Sequence, residues 1–124
     1  MIVVFGGAYQ GKTDFVKEKF GIKDEDIFFC KEGDIDFEKK VIAHIEKFVL
    51  ERVKKGESVF SYFEENKKKL EDKIIISDDV CCGVVPLEKT LRLYRDNLGK
   101  QLQIFCREAE EVYRVYCGLG ERLK

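Results

Sequence analysis

Eight consecutive residues near the amino terminus have the types and spacing of a phosphate-binding loop. Residues 6–13 read Gly-Gly-Ala-Tyr-Gln-Gly-Lys-Thr and fit the pattern G-x-x-x-x-G-K-[ST] without a mismatch. Glycine permits backbone angles that other residues avoid, and it lets main-chain N–H groups approach a phosphate closely. We therefore predict that the whole loop binds a nucleotide, through Gly6, Gly7, Ala8, Tyr9, Gln10, Gly11, Lys12 and Thr13.

The last two loop residues have side chains that suit a nucleotide and its metal ion. We expect Lys12 to neutralise oxygens of the β- and γ-phosphates and the Thr13 hydroxyl to bind Mg²⁺. An apolar run precedes the loop and a helical pattern follows it, and this context favours phosphate binding over an ordinary glycine-rich turn. The predicted ligands are Mg²⁺ and either ATP or GTP, because the backbone of the loop reads only phosphates.

A second source of metal ligands follows an apolar run later in the chain. Three isoleucines at positions 74–76 lead into Ser77, Asp78 and Asp79. In a parallel sheet, the carboxyl end of this strand opens on the same edge as the glycine loop. The predicted metal ligands are thus Thr13, Asp78 and Asp79, of which only one aspartate should face the ion because successive strand side chains alternate. The alternative is that either aspartate only caps a helix or forms a turn.

Short apolar runs predict the strands that position these groups. The run at Ile2–Phe5 is typical of a strand buried on both faces. Similar runs follow at Ile27–Cys30, Ile74–Ile76 and Val112–Cys117. Residues 118–120 then predict a turn, after which residues 121–124 pair back as a hairpin.

Stretches with helical spacing separate these strands. The first predicted helix runs from Thr13 to Phe20, and a second apolar stripe extends over residues 37–53. Ser58 is a candidate N-cap for a further helix, and Pro86 precedes the longest one. The alternation of strands and helices predicts an α/β fold with a mainly parallel sheet. We expect a single P-loop NTPase-like domain over residues 1–124, with three layers and a C-terminal β-hairpin.

The composition argues against several other classes of protein. The 124 residues carry a net charge of −1, so the chain has no general positive field that would gather nucleic acid. No apolar run approaches the roughly 20 residues of a membrane span, and the amino terminus does not resemble a signal peptide. The five cysteines show no C-x-x-C spacing, which disfavours a disulfide framework or a zinc site. A cytoplasmic location is expected.

Two stretches of the chain together resemble one enzyme family. The glycine loop and the signature Ser77-Asp-Asp-Val-Cys-Cys-Gly-Val-Val-Pro86 are similar to those of the adenosylcobinamide kinase/adenosylcobinamide-phosphate guanylyltransferase family of cobalamin biosynthesis. The chain then resembles the next motif of the family and its final strand and hairpin, at Arg92, Tyr94–Asp96, Gly99, Gln103 and residues 109–124. The resemblance covers residues 2–20 and about 73–124.

The resemblance implies a P-loop fold and kinase-type chemistry on a small-molecule substrate, for which a corrinoid is the candidate. It implies catalytic roles for Lys12, Asp79 and Arg95, with Asp79 in the position where the family usually has a glutamate. Arg92 lies three residues before Arg95 and is the alternative arginine, unless both are simply solvated residues of a helix. A homo-oligomer with its sites near subunit boundaries is also implied.

The middle of the chain departs from this family, because the segment that carries the GMP-accepting histidine is missing. The single histidine, His44, lies among Val41, Ile45 and Phe48 in the predicted helical stripe, so we interpret it as a structural or surface residue. These features favour an NTP-dependent phosphotransferase over a guanylyltransferase. The alternative is a non-catalytic nucleotide-binding or regulatory module of the same fold, and the full bifunctional enzyme is the least supported hypothesis.

Overall fold

Six strands form one sheet within residues 1–79 and 88–124, which are the residues that the computed structural model describes. The strands are β1 (Ile2–Gly6), β2 (Ile27–Phe29), β3 (Val41–Ala43), β4 (Ile74–Asp78), β5 (Glu111–Tyr116) and β6 (Leu119–Arg122). Their order across the sheet is β2-β3-β4-β1-β5-β6. Neighbouring strands are parallel except for β5 and β6, which form an antiparallel hairpin. The predicted α/β fold, with its mainly parallel sheet and C-terminal hairpin, is confirmed.

The helices of the described residues cover both faces of this sheet. They are α1 (Lys12–Phe20), α2 (Ile45–Lys54), α3 (Val59–Glu65), α4 (Lys67–Leu70) and α5 (Lys89–Glu108). Apolar residues of α1 pack on one face, and apolar residues of the other four helices pack on the opposite face. The result is the three-layer arrangement that the sequence predicted.

Two apolar cores lie on the two faces of the sheet because side chains alternate along each strand. In β1, Val3 belongs to the core beneath α2 and α5, whereas Val4 belongs to the core beneath α1. Phe105 of α5 is 1% exposed, and its ring meets Phe63 of α3 edge-on with 5.0 Å between centroids. Complete burial of a side chain of this size contributes about 1.5–3 kcal/mol. These cores hold the strand ends in place.

The predicted helical stripe over residues 37–53 is wrong in its first half. Val41, Ile42 and Ala43 form β3 between β2 and β4, and all three are fully buried. The helix begins only at Ile45. A short apolar run that is buried on both faces of a sheet shows no alternation, so its pattern cannot be distinguished from that of a buried helix.

The turn of the C-terminal hairpin also differs from the prediction. Cys117 and Gly118 form it with φ angles of 51° and 78°. Two successive positive φ angles are the geometry of a tight two-residue turn whose twist matches that of the flanking strands. The strand β6 therefore begins at Leu119, two residues before the predicted start at residue 121.

The helix expected after Ser58 is present, with the predicted cap. Ser58 Oγ accepts a hydrogen bond from the Ser61 N–H at 3.3 Å. Pro86 and the neighbouring Cys81 and Cys82 lie outside the described residues, and α5 begins shortly after them at Lys89. In the two described ranges, no helix combines the length and the apolar character needed to cross a membrane.

Truncation of Phe105 tests the core between the sheet and α5. Phe105→Ala should lower the free energy of unfolding by about 3–5 kcal/mol, because it removes a buried ring and leaves a cavity. Leu93 on the same helix is 49% exposed, so Leu93→Ala is the matched control and should change that free energy by about 0.5 kcal/mol or less. Urea denaturation followed by circular dichroism measures both variants, and equal losses would contradict the inward orientation of Phe105.

Candidate functional site

The glycine loop connects the carboxyl end of β1 with the amino end of α1. The strand ends at Gly6 and the helix begins at Lys12, so the loop lies between a strand and a helix as predicted. Tyr9 and Gly11 have φ angles of 60° and 85°, and Tyr9 is fully exposed. The loop ends where unpaired N–H groups and the helix dipole favour a bound anion.

Gly6 is required by the close approach of β5 to the loop. A Cβ atom on Gly6 would lie 2.4 Å from the carbonyl oxygen of Val115. That oxygen belongs to the backbone of β5, which is paired with β1 and β6 and cannot move aside. Gly7 differs, because among the described residues its Cβ atom would meet only the side chain of Gln10, at 3.6 Å. The first glycine therefore serves the packing of the loop on the sheet.

The hairpin turn between β5 and β6 holds the middle of the loop. The Gly118 N–H donates to the carbonyl oxygen of Gln10 at 2.8 Å, and the Cys117 N–H donates to Gln10 Oε1 at 2.6 Å. A Cβ atom on Gly11 would lie 3.3 Å from Gly118 Cα, so the two backbones are in close contact. The side chain of Gln10 thus anchors the loop to the hairpin, a role that the sequence did not reveal.

Lys12 lies nearly buried at the centre of the site. Its side chain is 8% exposed, and Nζ donates to the carbonyl oxygen of Gly7 at 2.7 Å. The same Nζ forms an ion pair with Asp78 Oδ1 at 2.6 Å. A buried ammonium group needs such partners, because removal of a charge from water is costly. The pair keeps Lys12 over the loop in the protein without ligand.

A cavity of about 430 Å³ opens at this edge of the sheet. The loop contributes Ala8, Tyr9, Gly11, Lys12 and Thr13 to its lining, and β4 contributes Ile76 and Asp78. The first turn of α1 contributes Asp14, and the start of α2 contributes His44, Glu46 and Lys47. The volume lies within the usual range for small-molecule sites, about 300–1,000 Å³.

The structure brings together only some of the predicted site residues. Lys12, Thr13 and Asp78 line the cavity, whereas Asp79 and Arg95 are not part of its lining. The Asp79 N–H donates to the carbonyl oxygen of Gly6 at 2.8 Å, so this residue joins β4 to the loop through its backbone. Arg95 is half-buried on α5. The functional roles assigned to all five residues stay predictions.

His44 lies at the cavity, in the turn before α2, so the prediction that it lies within a helical stripe is wrong, whereas its interpretation as a structural or surface residue stays a prediction. It occupies the turn between β3 and α2 with a φ angle of 59°, and its ring lies 5.4 Å from that of Phe29. His44 was predicted to lie in a helix because the strand β3, which precedes it, was not predicted. Because β3 runs parallel to β4, the residue after it comes to the same edge as the glycine loop.

Glu46, which the sequence did not single out, is a third carboxylate of the cavity beside Asp14 and Asp78. It is 5% exposed, and its Oε1 lies 3.2 Å from His44 Nδ1. Burial, together with the charge of Asp78, raises the pKa of Glu46 above its ordinary value. The signal that would have revealed it is its position two residues after His44, just beyond the end of a buried strand.

The oxygen donors at this edge fit Mg²⁺ when a nucleotide supplies the remaining ligands. Among the described residues, no group of three or more His, Cys, Asp or Glu side chains is arranged to hold a metal ion by itself. Mg²⁺ usually keeps several waters and binds through one or two carboxylates and the phosphates of the substrate. The Thr13 hydroxyl and the Asp78 carboxylate, which line the same cavity, suit that kind of site.

A comparison with protein families matches the second half of the chain. Residues 50–123 match the family model described as cobinamide kinase / cobinamide phosphate guanyltransferase. The matched range contains β4, α5 and the hairpin. The glycine loop, His44 and Glu46 lie before it. No curated protein matches the chain.

Substitutions at the first two loop glycines test the packing of the loop. Gly6→Ala should lower the free energy of unfolding by about 1–3 kcal/mol, because its methyl group would overlap the backbone of β5. Gly7→Ala is the matched control in the same loop and should change this free energy by about 0.5 kcal/mol or less. Thermal unfolding of both variants measures the difference. Equal stability of the two proteins would contradict the close contact between Gly6 and Val115.

Proposed function

The chain belongs to the cobinamide kinase / cobinamide phosphate guanyltransferase family, and on this basis we propose that it is a nucleotide-dependent phosphotransferase. It transfers the terminal phosphoryl group of ATP or GTP to a hydroxyl of a corrinoid of the cobinamide type. The observation that carries the proposal is the cavity in which Lys12, Thr13 and Asp78 meet the amino end of α1. These groups are the ones that a triphosphate and its metal ion require.

The proposed reaction needs positioning and neutralisation of charge. The loop N–H groups and Lys12 bind the β- and γ-phosphates, so that the phosphates replace Gly7 and Asp78 as partners of the ammonium group. Mg²⁺, when bound, neutralises the phosphate oxygens, and Thr13 and Asp78 would hold it. The acceptor oxygen attacks the γ-phosphorus as the bond to the β-phosphate oxygen breaks. The nucleoside diphosphate leaves, and the hydroxyl proton passes to the solvent.

Guanylyl transfer is a second candidate function, and the position of His44 favours it. The histidine lines the same cavity as Lys12, and its side chain is 38% exposed. A histidine ring nitrogen can attack the α-phosphorus of GTP and displace pyrophosphate, which leaves GMP on the ring. Because Nδ1 is engaged by Glu46, Nε2 would be the attacking atom.

Nucleotide titrations test the phosphate site. Lys12→Met should weaken the binding of ATP and GTP by about 10–100-fold in the presence of Mg²⁺, because it removes charge-assisted hydrogen bonds to the phosphates. Isothermal titration calorimetry measures the affinities. Lys19→Ala, which removes an exposed lysine from the same helix, is the matched control and should bind like the wild type. Failure of the wild-type protein to bind either nucleotide would overturn the proposal.

Labelled nucleotides separate the candidate activities. Label from γ-phosphate ATP or GTP should appear on cobinamide if the chain is a phosphotransferase. Nucleotide binding without this transfer would instead support the non-catalytic module. Label from α-phosphate GTP that stays on the denatured wild-type protein, and is absent from His44→Ala, would identify guanylyl transfer.

A further inference from the structure

Glu46 lines the cavity at the glycine loop, and one of its carboxylate oxygens is unpaired among the described residues. The residue is 5% exposed, and Oε1 lies within hydrogen-bond distance of His44 Nδ1. The second oxygen, Oε2, is buried and has no hydrogen-bond partner in residues 1–79 and 88–124. Buried polar atoms in folded proteins are almost always paired, because an unpaired one loses its water without compensation. Glu46 therefore holds an unused acceptor beside the glycine loop.

The surrounding charges point to a cationic partner for this oxygen. Asp14 and Asp78 line the same cavity, and the ammonium group of Lys12 is held there by Asp78 and Gly7. Lys47 also lines the cavity but is exposed to solvent. The position of Glu46 in the first turn of α2 stabilises its charge, whereas burial and the neighbouring Asp78 oppose it.

Nucleotide binding would increase the excess of negative charge in the cavity. In the proposed function, Lys12 turns from Asp78 to the phosphates, and Asp78 then loses the cation that it pairs with in the protein without ligand. Three carboxylates line the cavity, those of Asp14, Glu46 and Asp78, and they would face a highly charged anion there. A divalent cation removes this repulsion, and carboxylate oxygens are ligands that Mg²⁺ prefers.

We propose that Glu46 is the second carboxylate of the metal site, so that its Oε2 holds the Mg²⁺ of the bound nucleotide directly or through one coordinated water. This inference rests on the proposed nucleotide-binding function. His44 holds Oε1 and leaves Oε2 free for the ion. Glu46 therefore makes the site selective for the metal complex of the nucleotide, because the metal-free nucleotide meets an unscreened carboxylate.

Titrations of Glu46→Gln with and without metal test this role. ATP and GTP are titrated into the full chain in excess Mg²⁺ and again in EDTA. Wild-type protein should bind the magnesium complex more tightly than the free nucleotide. The variant should lose about tenfold or more of that preference, because it lacks the charge that attracts the ion. Its affinity for the metal-free nucleotide should stay equal or rise, since a repelling carboxylate is gone.

Two further measurements keep structural and functional roles apart. Glu65→Gln, at an exposed position of α3, is the matched control and should keep the full metal preference. The thermal midpoint of Glu46→Gln without ligand should equal or exceed that of the wild type, because the substitution removes a buried charge that is only half paired. Mn²⁺ in place of Mg²⁺ gives a direct readout, since electron paramagnetic resonance counts the ion bound with nucleotide.

Four results would overturn the assignment. A metal preference that is unchanged in Glu46→Gln would exclude a role at the ion. Equal losses of affinity with and without metal, together with a lowered thermal midpoint, would show that Glu46 stabilises the fold around the loop and does not bind the ion. Wild-type protein that binds nucleotide with no metal preference would overturn the role of Glu46 alone, whereas wild-type protein that binds no nucleotide at all would overturn the proposed function as well.

Discussion

The parallel register of β1 against β4 is the constraint on which the candidate site depends. It places Gly6, where the loop begins, beside Asp78, where the neighbouring strand ends. The ion pair between Lys12 and Asp78 follows from this alignment. A slip of one residue would turn Asp78 to the other face of the sheet. The buried valines and isoleucines on both faces exclude such a slip, so the geometry of the site rests on the packing of the two cores.

The other side of the loop is held by the C-terminal hairpin. The backbone of β5 lies against Gly6, and the turn after it binds Gln10 through two N–H groups. The loop is therefore formed before any ligand arrives, which reduces the entropy lost on binding. The family match covers β4, β5 and the hairpin, whereas the glycine loop and the start of α2 lie outside it. The half of the chain that shows the family thus supports the conformation of the glycine loop in the other half.

The polar groups at this edge are arranged at a cost to stability. A lysine and a glutamate are almost fully buried there, and one glutamate oxygen has no partner in the described structure. Elsewhere the buried side chains are mostly apolar, although Arg52 Nε and Gln101 Oε1 are also buried without a hydrogen-bond partner in the described structure. A buried charged group that lacks one of its partners is typical of a site where a bound ligand supplies that partner.

The sequence by itself determined the fold class, the glycine loop and the family, because these depend on local patterns such as the spacing of glycines and short apolar runs. It did not determine β3, since a strand buried on both faces has no periodicity of its own. Only the tertiary structure brought His44 and Glu46 to the loop, and selected Asp78 over Asp79 as the partner of Lys12. The physical reason is that strand order and register join residues far apart in the chain, and no local pattern records which strands are neighbours.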